Sequence, residues 1–272
     1  MRVIEQSVIG KCGDSAVCED VIALTDTFVV LVDGATDKTG WRHNGVAGGR
    51  FAVDALKDAI KGVKEDIDAM GFVAHLSRTL SRALDDASAD NPVPEDRPSA
   101  QLVAYSCHRR EIWAVGDCSW LVEGVDESTR SALDDVASRA RAAVTRALLI
   151  GGATVDGLLR SDPGREMILP LLEKQHLFRN TLVDPGFAIP AIDGTTVPAE
   201  LITVRGVEPG TEVVFASDGY PKALASLAES EAYLADSLRK DPLRVWMHPS
   251  TKGVRPGQVS YDDRAYIRFV TE

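Results

Sequence analysis

The sequence predicts an α+β fold in which antiparallel sheets are covered by helices, and three observations carry that expectation. Strand-like and helical segments come in blocks, in the order strands, two helices, strands, helices, strands, not in the strict βαβ alternation of a parallel sheet. Residues 28–32, Phe-Val-Val-Leu-Val, form the short unbroken apolar run expected of a strand buried on both faces. Apolar residues then recur at helical spacing over 51–63 and over 73–87, which marks helices with one covered face.

The elements follow in order. Residues 21–24 and 28–33 flank Thr25-Asp26-Thr27 and predict a hairpin. Asp33-Gly34 ends its second strand and opens a polar loop containing Asp37, Lys38, Thr39, Gly40 and Asn44. The first helix sets Phe51, Ala52, Ala55, Leu56, Ala59, Ile60 and Val63 opposite Asp54, Lys57, Asp58 and Lys61. The second gathers Val73, Leu76, Leu80, Ala83, Leu84 and Ala87, and ends before Asn91-Pro92. Residues 101–107 and 112–115 predict another strand pair turning at Arg109-Arg110, and 119–123 continue as a strand. A long helix over about 131–150, with Leu133, Ala137, Ala140, Val144 and Leu148 on one face, stops at Gly151-Gly152. Residues 153–198 carry weaker signals: short helices around 167–175, and loops at Asp184-Pro185-Gly186 and Asp193-Gly194. Strands are expected at 200–204, 212–215 and 266–270, with a helix over 222–238. No repeat or linker interrupts the chain, so residues 1–272 read as one domain.

Composition narrows the function. The 272 residues are 44% hydrophobic and 26% charged, ordinary for a soluble globular protein. A net charge of −11 argues against nucleic acid or an anionic membrane as partner. Cys12, Cys18, Cys107 and Cys118 form no CxxC pair and no zinc spacing, which suits a reducing compartment. Met1 to Gly10 lacks the apolar core of a signal peptide, and no apolar run is long enough to span a bilayer. A cytoplasmic protein is expected. The sequence carries no signal of oligomeric state.

Four acidic motifs are spread along the chain: Cys18-Glu19-Asp20, Val32-Asp33-Gly34, Ser217-Asp218-Gly219 and Tyr261-Asp262-Asp263. Three of them fall where a strand is expected to end, a position from which a rigid sheet aims a carboxylate into a shared pocket. Carboxylates that converge without Lys or Arg partners repel one another, so the cluster implies cations. Hard divalent ions with oxygen ligands, Mg²⁺ or Mn²⁺, suit that donor set.

These motifs, with Gly116-Asp117-Cys118 as a fifth, occur in the order found in the metal-dependent serine/threonine protein phosphatases of type 2C, and the chain resembles that family from Glu19 to Tyr266. The resemblance implies a four-layer αββα sandwich, two antiparallel sheets flanked by helices. It also implies two Mn²⁺ or Mg²⁺ ions. Asp33 would bridge them, the Gly34 carbonyl would ligate one, and Asp218 and Asp262 would complete the other site. Glu19 and Asp20 would act through metal-bound water, and Asp117 with Asp218 matches the place of a third, weaker ion in bacterial relatives. The implied reaction is hydrolysis of a phosphomonoester, in a protein phosphoserine or phosphothreonine or in a small metabolite, by direct attack of a metal-bridging hydroxide. Asp33, Asp218 and Asp262 would carry it.

The chain departs from the family at several points. An arginine that grips the substrate phosphate in relatives is replaced by Ser15; Lys11, Lys38 and Arg42 are the substitutes in reach, each otherwise a solvated loop charge. Ala35 stands where many relatives have a histidine, and His43 lies in the same loop, which is longer than the family's compact glycine turn. Gly48-Gly49 is the displaced counterpart of that turn's glycine pair. A phosphatase with an aspartyl nucleophile would need a second Asp at position 35, which Ala35 excludes. The alternative from another class is a pseudophosphatase, a binding or regulatory module without turnover, motivated by Ser15 and Ala35.

Overall fold

The computed structural model describes residues 1–35, 38, 40–87 and 92–272. Asp37, Thr39 and Asn91, which the sequence places in loops, lie outside the described residues. Along the chain the strands are β1 (Arg2–Ile9), β2 (Asp20–Leu24), β3 (Phe28–Gly34), β4 (Arg42–His43), β5 (Val46–Ala47) and β6 (Ala100–Ser106). They continue as β7 (Glu111–Val115), β8 (Ser119–Val122), β9 (Val125–Asp126), β10 (Thr203–Gly206), β11 (Glu212–Ala216) and β12 (Arg264–Val270). The helices are α1 (Gly48–Lys61), α2 (Ala69–Asp86), α3 (Ala132–Ile150), α4 (Val155–Arg160), α5 (Pro163–Glu173) and α6 (Leu227–Lys240).

Two five-stranded antiparallel sheets result, one in the order β10-β7-β6-β3-β2 and the other β1-β12-β11-β8-β9; β4 and β5 form a separate small hairpin. The apolar run of β3 explains the layering. Val29 and Leu31 point to the other sheet and pack with Val103, Tyr105, Val213, Phe215, Ile267 and Phe269. Val30 and Val32 point the opposite way, onto Val53, Leu56 and Ile60 of α1 and Phe72, Leu76 and Leu80 of α2. Each fully buried side chain of this kind is worth about 1.5–3 kcal/mol. The outer face of the second sheet, with Val214, Ala216 and Tyr266, is covered by Leu234 of α6 together with Tyr220 and Tyr261. The architecture is therefore α+β: helices, sheet, sheet, helix. Helices α3, α4 and α5 bury small clusters of their own, Ala137 with Ile168 and Leu172, and Ala142 with Leu158, Leu243 and Val245. No helix among the described residues is long and apolar enough to cross a membrane.

Four differences from the expected elements have local causes. Strand β1, where no strand is expected from the sequence, carries a β-bulge between Val3 and Glu5: Ile4 is exposed, while the partly exposed Glu5 carboxylate faces Arg268 and accepts from Leu227 N at 2.9 Å. The expected strand at 200–204 starts at Thr203, because Ala199–Leu201 forms a 3-10 turn. The helix expected from 222 starts at Leu227, where the Ser226 hydroxyl accepts from Glu229 N. Helix α5 begins at Pro163, ahead of the expected 167, with Asp162 capping Arg165 N and proline at the first turn.

The join between β11 and β12 is tight. A Cβ on Gly219 would lie 1.9 Å from Asp263 O and 2.7 Å from Arg264 Cβ. Gly219→Ala is expected to destabilise the fold by about 3 kcal/mol, roughly 10 °C in melting temperature. Gly206→Ala, with nothing within 4 Å of the added atom, serves as the control and melts with the wild type.

Candidate metal centre

The expected site residues come together at one end of the sandwich. Asp33 and Gly34 close β3, and Asp33 lies opposite Asp20 of β2 and Gln101 of β6 in the ladder. Asp218 follows β11, and its N–H donates to Asp33 Oδ2 at 3.2 Å, a link between the two sheets. Asp262 and Asp263 immediately precede β12. Asp117 sits where the chain crosses from β7 in one sheet to β8 in the other. The crossing needs Gly116, whose φ is +100° and whose added Cβ would lie 2.4 Å from Gln101 Cγ. Asp33, Gly34, Asp117, Asp218 and Asp262 line one cleft of ≈ 400 Å³. Glu19 and Asp20 are buried behind it. The glycines expected to matter also meet there: a Cβ on Gly34 would lie 2.7 Å from Gly49 O, and one on Gly49 would lie 2.8 Å from Ala35 O.

Crowding of like charge dominates the electrostatics. Burial, then Asp20, Asp218, Asp262 and Asp117, raise the Asp33 carboxyl well above the usual range. Burial and then Asp262 do the same to Asp218, against an opposing pull from Lys252. Burial lifts Asp20 to about 8, with Asp262 and Asp263 adding to it, and Asp117 to about 7, with Asp134 adding. Asp20 Oδ2 is buried without a hydrogen-bond partner. Asp20 is buried with an orphaned oxygen, Asp33 and Asp117 are half-buried and Asp218 is exposed at the cleft; four carboxyls whose crowding disfavours ionisation are a donor set for a hard divalent cation. The residues present fit Mn²⁺ or Mg²⁺ in chemistry. Among the described residues, though, no group of three His, Cys, Asp or Glu side chains is drawn together at metal-holding distance.

The expectation that the acidic motifs lack basic partners is corrected here. Lys11 Nζ lies 3.2 Å from Glu19 Oε2, 3.0 Å from Asp263 Oδ2 and 4.0 Å from Asp262 Oδ1. Its backbone N–H also donates to Asp263 Oδ1 at 2.7 Å. Lys252 Nζ lies 2.5 Å from Asp262 Oδ2. In-chain ammonium groups thus neutralise Glu19, Asp262 and Asp263.

The groups weighed for gripping a phosphate separate. Ser15 Oγ donates to Val8 O and faces solvent. Arg42 bonds Gly45 O on the β4–β5 hairpin, where His43 packs between Trp41 and Phe51. Lys38 lines the cleft beside Gln175, and burial lowers its pKa to about 8. Sequence reasoning missed Lys252, Arg165 and Arg179, which also line the cleft. Their segments show neither a motif nor a clear period, so no local signal marks them.

A pH prediction follows from Asp20. Its pKa is raised on folding, so the folded state holds a proton that the unfolded state has released between about pH 4 and 8. Stability of the metal-free protein should therefore fall as pH rises through that window. Asp20→Asn removes its share of the dependence, leaving that of Asp33, Asp117 and Asp218, and in EDTA at pH 8 should raise the melting temperature by roughly 3–6 °C, about 1–2 kcal/mol, while melting with the wild type near pH 4.

No protein-family model matches the chain, and no curated protein matches its sequence. Solved structures do match. The serine/threonine phosphatase PstP/Ppp of Mycobacterium tuberculosis is 13% identical, with 100% of each chain covered and a TM-score of 0.50. The serine/threonine phosphatase Stp1 of Staphylococcus aureus is 14% identical over 98% of this chain and 94% of that one, with a TM-score of 0.49. The PPM Ser-Thr phosphatase MsPP of Mycobacterium smegmatis is 12% identical over 100% of each chain, with a TM-score of 0.47. The two-sheet sandwich of this chain is the fold of the PPM-type serine/threonine phosphatases.

Proposed function

We propose that this chain is a metal-dependent phosphatase of the type 2C kind, acting on phosphomonoesters and foremost on phosphoserine or phosphothreonine in proteins. One observation carries the reading: Asp33, Asp117, Asp218 and Asp262, from four separate parts of the chain, line a single cleft at the joined ends of both sheets. Asp33, the Gly34 carbonyl, Asp218 and Asp262 would hold two Mn²⁺ or Mg²⁺ ions, with Asp20 and Glu19 behind them and Asp117 beside a third, weaker one. When bound, such ions supply Lewis-acid activation of water and neutralise charge on the phosphoryl group.

The chain's own residues provide the rest. Asp33 lies in β3, and Asp117, Asp218 and Asp262 lie in short turns within three residues of a strand, which keeps reorganisation small. The Asp218 N–H fixes the Asp33 carboxylate. Lys38, Arg165 and Arg179 line the same cleft, interspersed with Asp134 and Asp135 of α3, and are the cationic groups there suited to a phosphate dianion. Neither Ser nor Cys is placed as a nucleophile: burial and then Asp33 raise the Cys118 thiol well above its usual range, so it stays protonated. We place the protein in the cytoplasm as a single domain.

A second reading, a binding module without turnover, is favoured by one observation, the Lys252 ammonium seated on Asp262. Turnover of p-nitrophenyl phosphate decides between them. With Mn²⁺ the wild type should be active, and chelation by EDTA should abolish activity reversibly. Asp33→Asn should lower kcat by about 100-fold or more with the fold intact by circular dichroism. Full activity in EDTA, or wild-type kcat in the variant at saturating metal, would exclude this centre. A wild type that is folded, binds Mn²⁺ and turns nothing over would support the second reading.

A further inference from the structure

Lys252 is held as few lysines are. Its side chain is only 18% exposed, with Nζ on Asp262 inside the acidic cleft. An ammonium on a four-carbon stem is strongly hydrated and rich in rotamers, so it stays in one place only where its backbone is fixed. Here it is. Arg141 of α3, 1% exposed, is clamped by Asp162 through Nε at 2.9 Å and Nη2 at 2.7 Å. Its Nη1 donates to the carbonyls of Leu243 at 3.0 Å and Ser250 at 3.0 Å. Arg165 of α5 donates to Thr251 O at 2.7 Å. On the other side a Cβ at Gly253 would lie 3.0 Å from Arg141 Nη2 and 3.1 Å from Leu243 O, so the backbone passes against the guanidinium. Residues 250, 251 and 253 are all held, and Lys252 projects from between them.

The two ammonium groups divide the acidic residues unequally. Glu19, Asp262 and Asp263 each have a lysine within ion-pair distance. Asp33 has no such partner among the described residues, its charged neighbours being Asp20, Asp117, Asp218 and Asp262, while Asp218 feels the pull of Lys252. A divalent ion and an ammonium in contact with the same carboxylate repel one another strongly in a desolvated cleft.

We propose that Lys252 is a tethered counter-ion of Asp262 which a divalent ion must displace, so that the centre loads unequally: one ion on the side of Asp33 and the Gly34 carbonyl, and the ion shared by Asp218 and Asp262 only as the ammonium leaves Asp262. The proposal rests on the metal-dependent reading above. It makes Lys252 a determinant of metal affinity, built by α3 and α5 and not by the sheets.

The test is Mn²⁺ titration at neutral pH, with free Mn²⁺ read by electron paramagnetic resonance, on the wild type, Lys252→Met, Lys252→Arg and Asp33→Asn, each checked by thermal melting. Lys252→Met should tighten the weaker Mn²⁺ site by about tenfold or more, while Lys252→Arg, which keeps the charge, should stay within about threefold of wild type. If Lys252→Met does not melt cooperatively, Lys252→Gln takes its place. Unchanged or weaker Mn²⁺ binding on removing the Lys252 charge, alongside loss of binding in Asp33→Asn, overturns the counter-ion proposal alone. A wild type that binds no Mn²⁺, or an Asp33→Asn variant that binds as the wild type does, overturns both it and the metal-dependent reading.

Discussion

Packing of the two sheets against each other, through Val29, Leu31, Val103 and Tyr105 on one side and Val213, Phe215, Ile267 and Phe269 on the other, is the interaction on which the acidic cleft depends. Each carboxylate of the cleft is carried at or beside the end of a strand that contributes to this core or borders it. Like charges held in a desolvated pocket push apart, and loops alone would yield to that force. A close-packed interior transmits strain instead of relaxing it, so the carboxyls respond by resisting ionisation. Burial first and mutual repulsion second raise the carboxyls of Asp33, Asp218, Asp20 and Asp117.

Charge balance is arranged locally around the cleft. Lys11 reaches Glu19 and Asp263 from the turn after β1, and Lys252 reaches Asp262 from the segment before β12. These pairs are partly buried, where removing one partner costs more than the pair itself contributes. Asp33, by contrast, has only carboxylates as charged neighbours among the described residues, so charge in the cleft is balanced unevenly.

Helices α3, α4 and α5 stand outside the four layers and serve the cleft differently. They bury little apolar surface with the sheets, yet Arg141 ties them to the segment bearing Lys252 through carbonyls that would otherwise lack donors. Arg165, Arg179 and Gln175 from the same region line the cleft with the carboxylates. The basic residues of the cleft thus come from the least regular part of the chain, and its carboxylates from the ends of the sheets.

By itself the sequence determined the sandwich and the acidic motifs. Period-2 and period-3.6 patterns are local, and β3, α1, α2, β6 and β7 could be read from them because each buries a face along its own length. It marked Asp33, Asp218 and Asp262 through acidic motifs whose order resembles the type 2C phosphatases, and it was silent on β1, where a bulge between Val3 and Glu5 interrupts the alternation. Tertiary structure alone decided which cations meet the carboxylates. Lys11 is 252 residues from its partner Asp263, and Lys252 is placed by Arg141 and Arg165 on distant helices. No local pattern encodes such a pairing, because an ion pair needs only proximity in space and leaves no period along the chain.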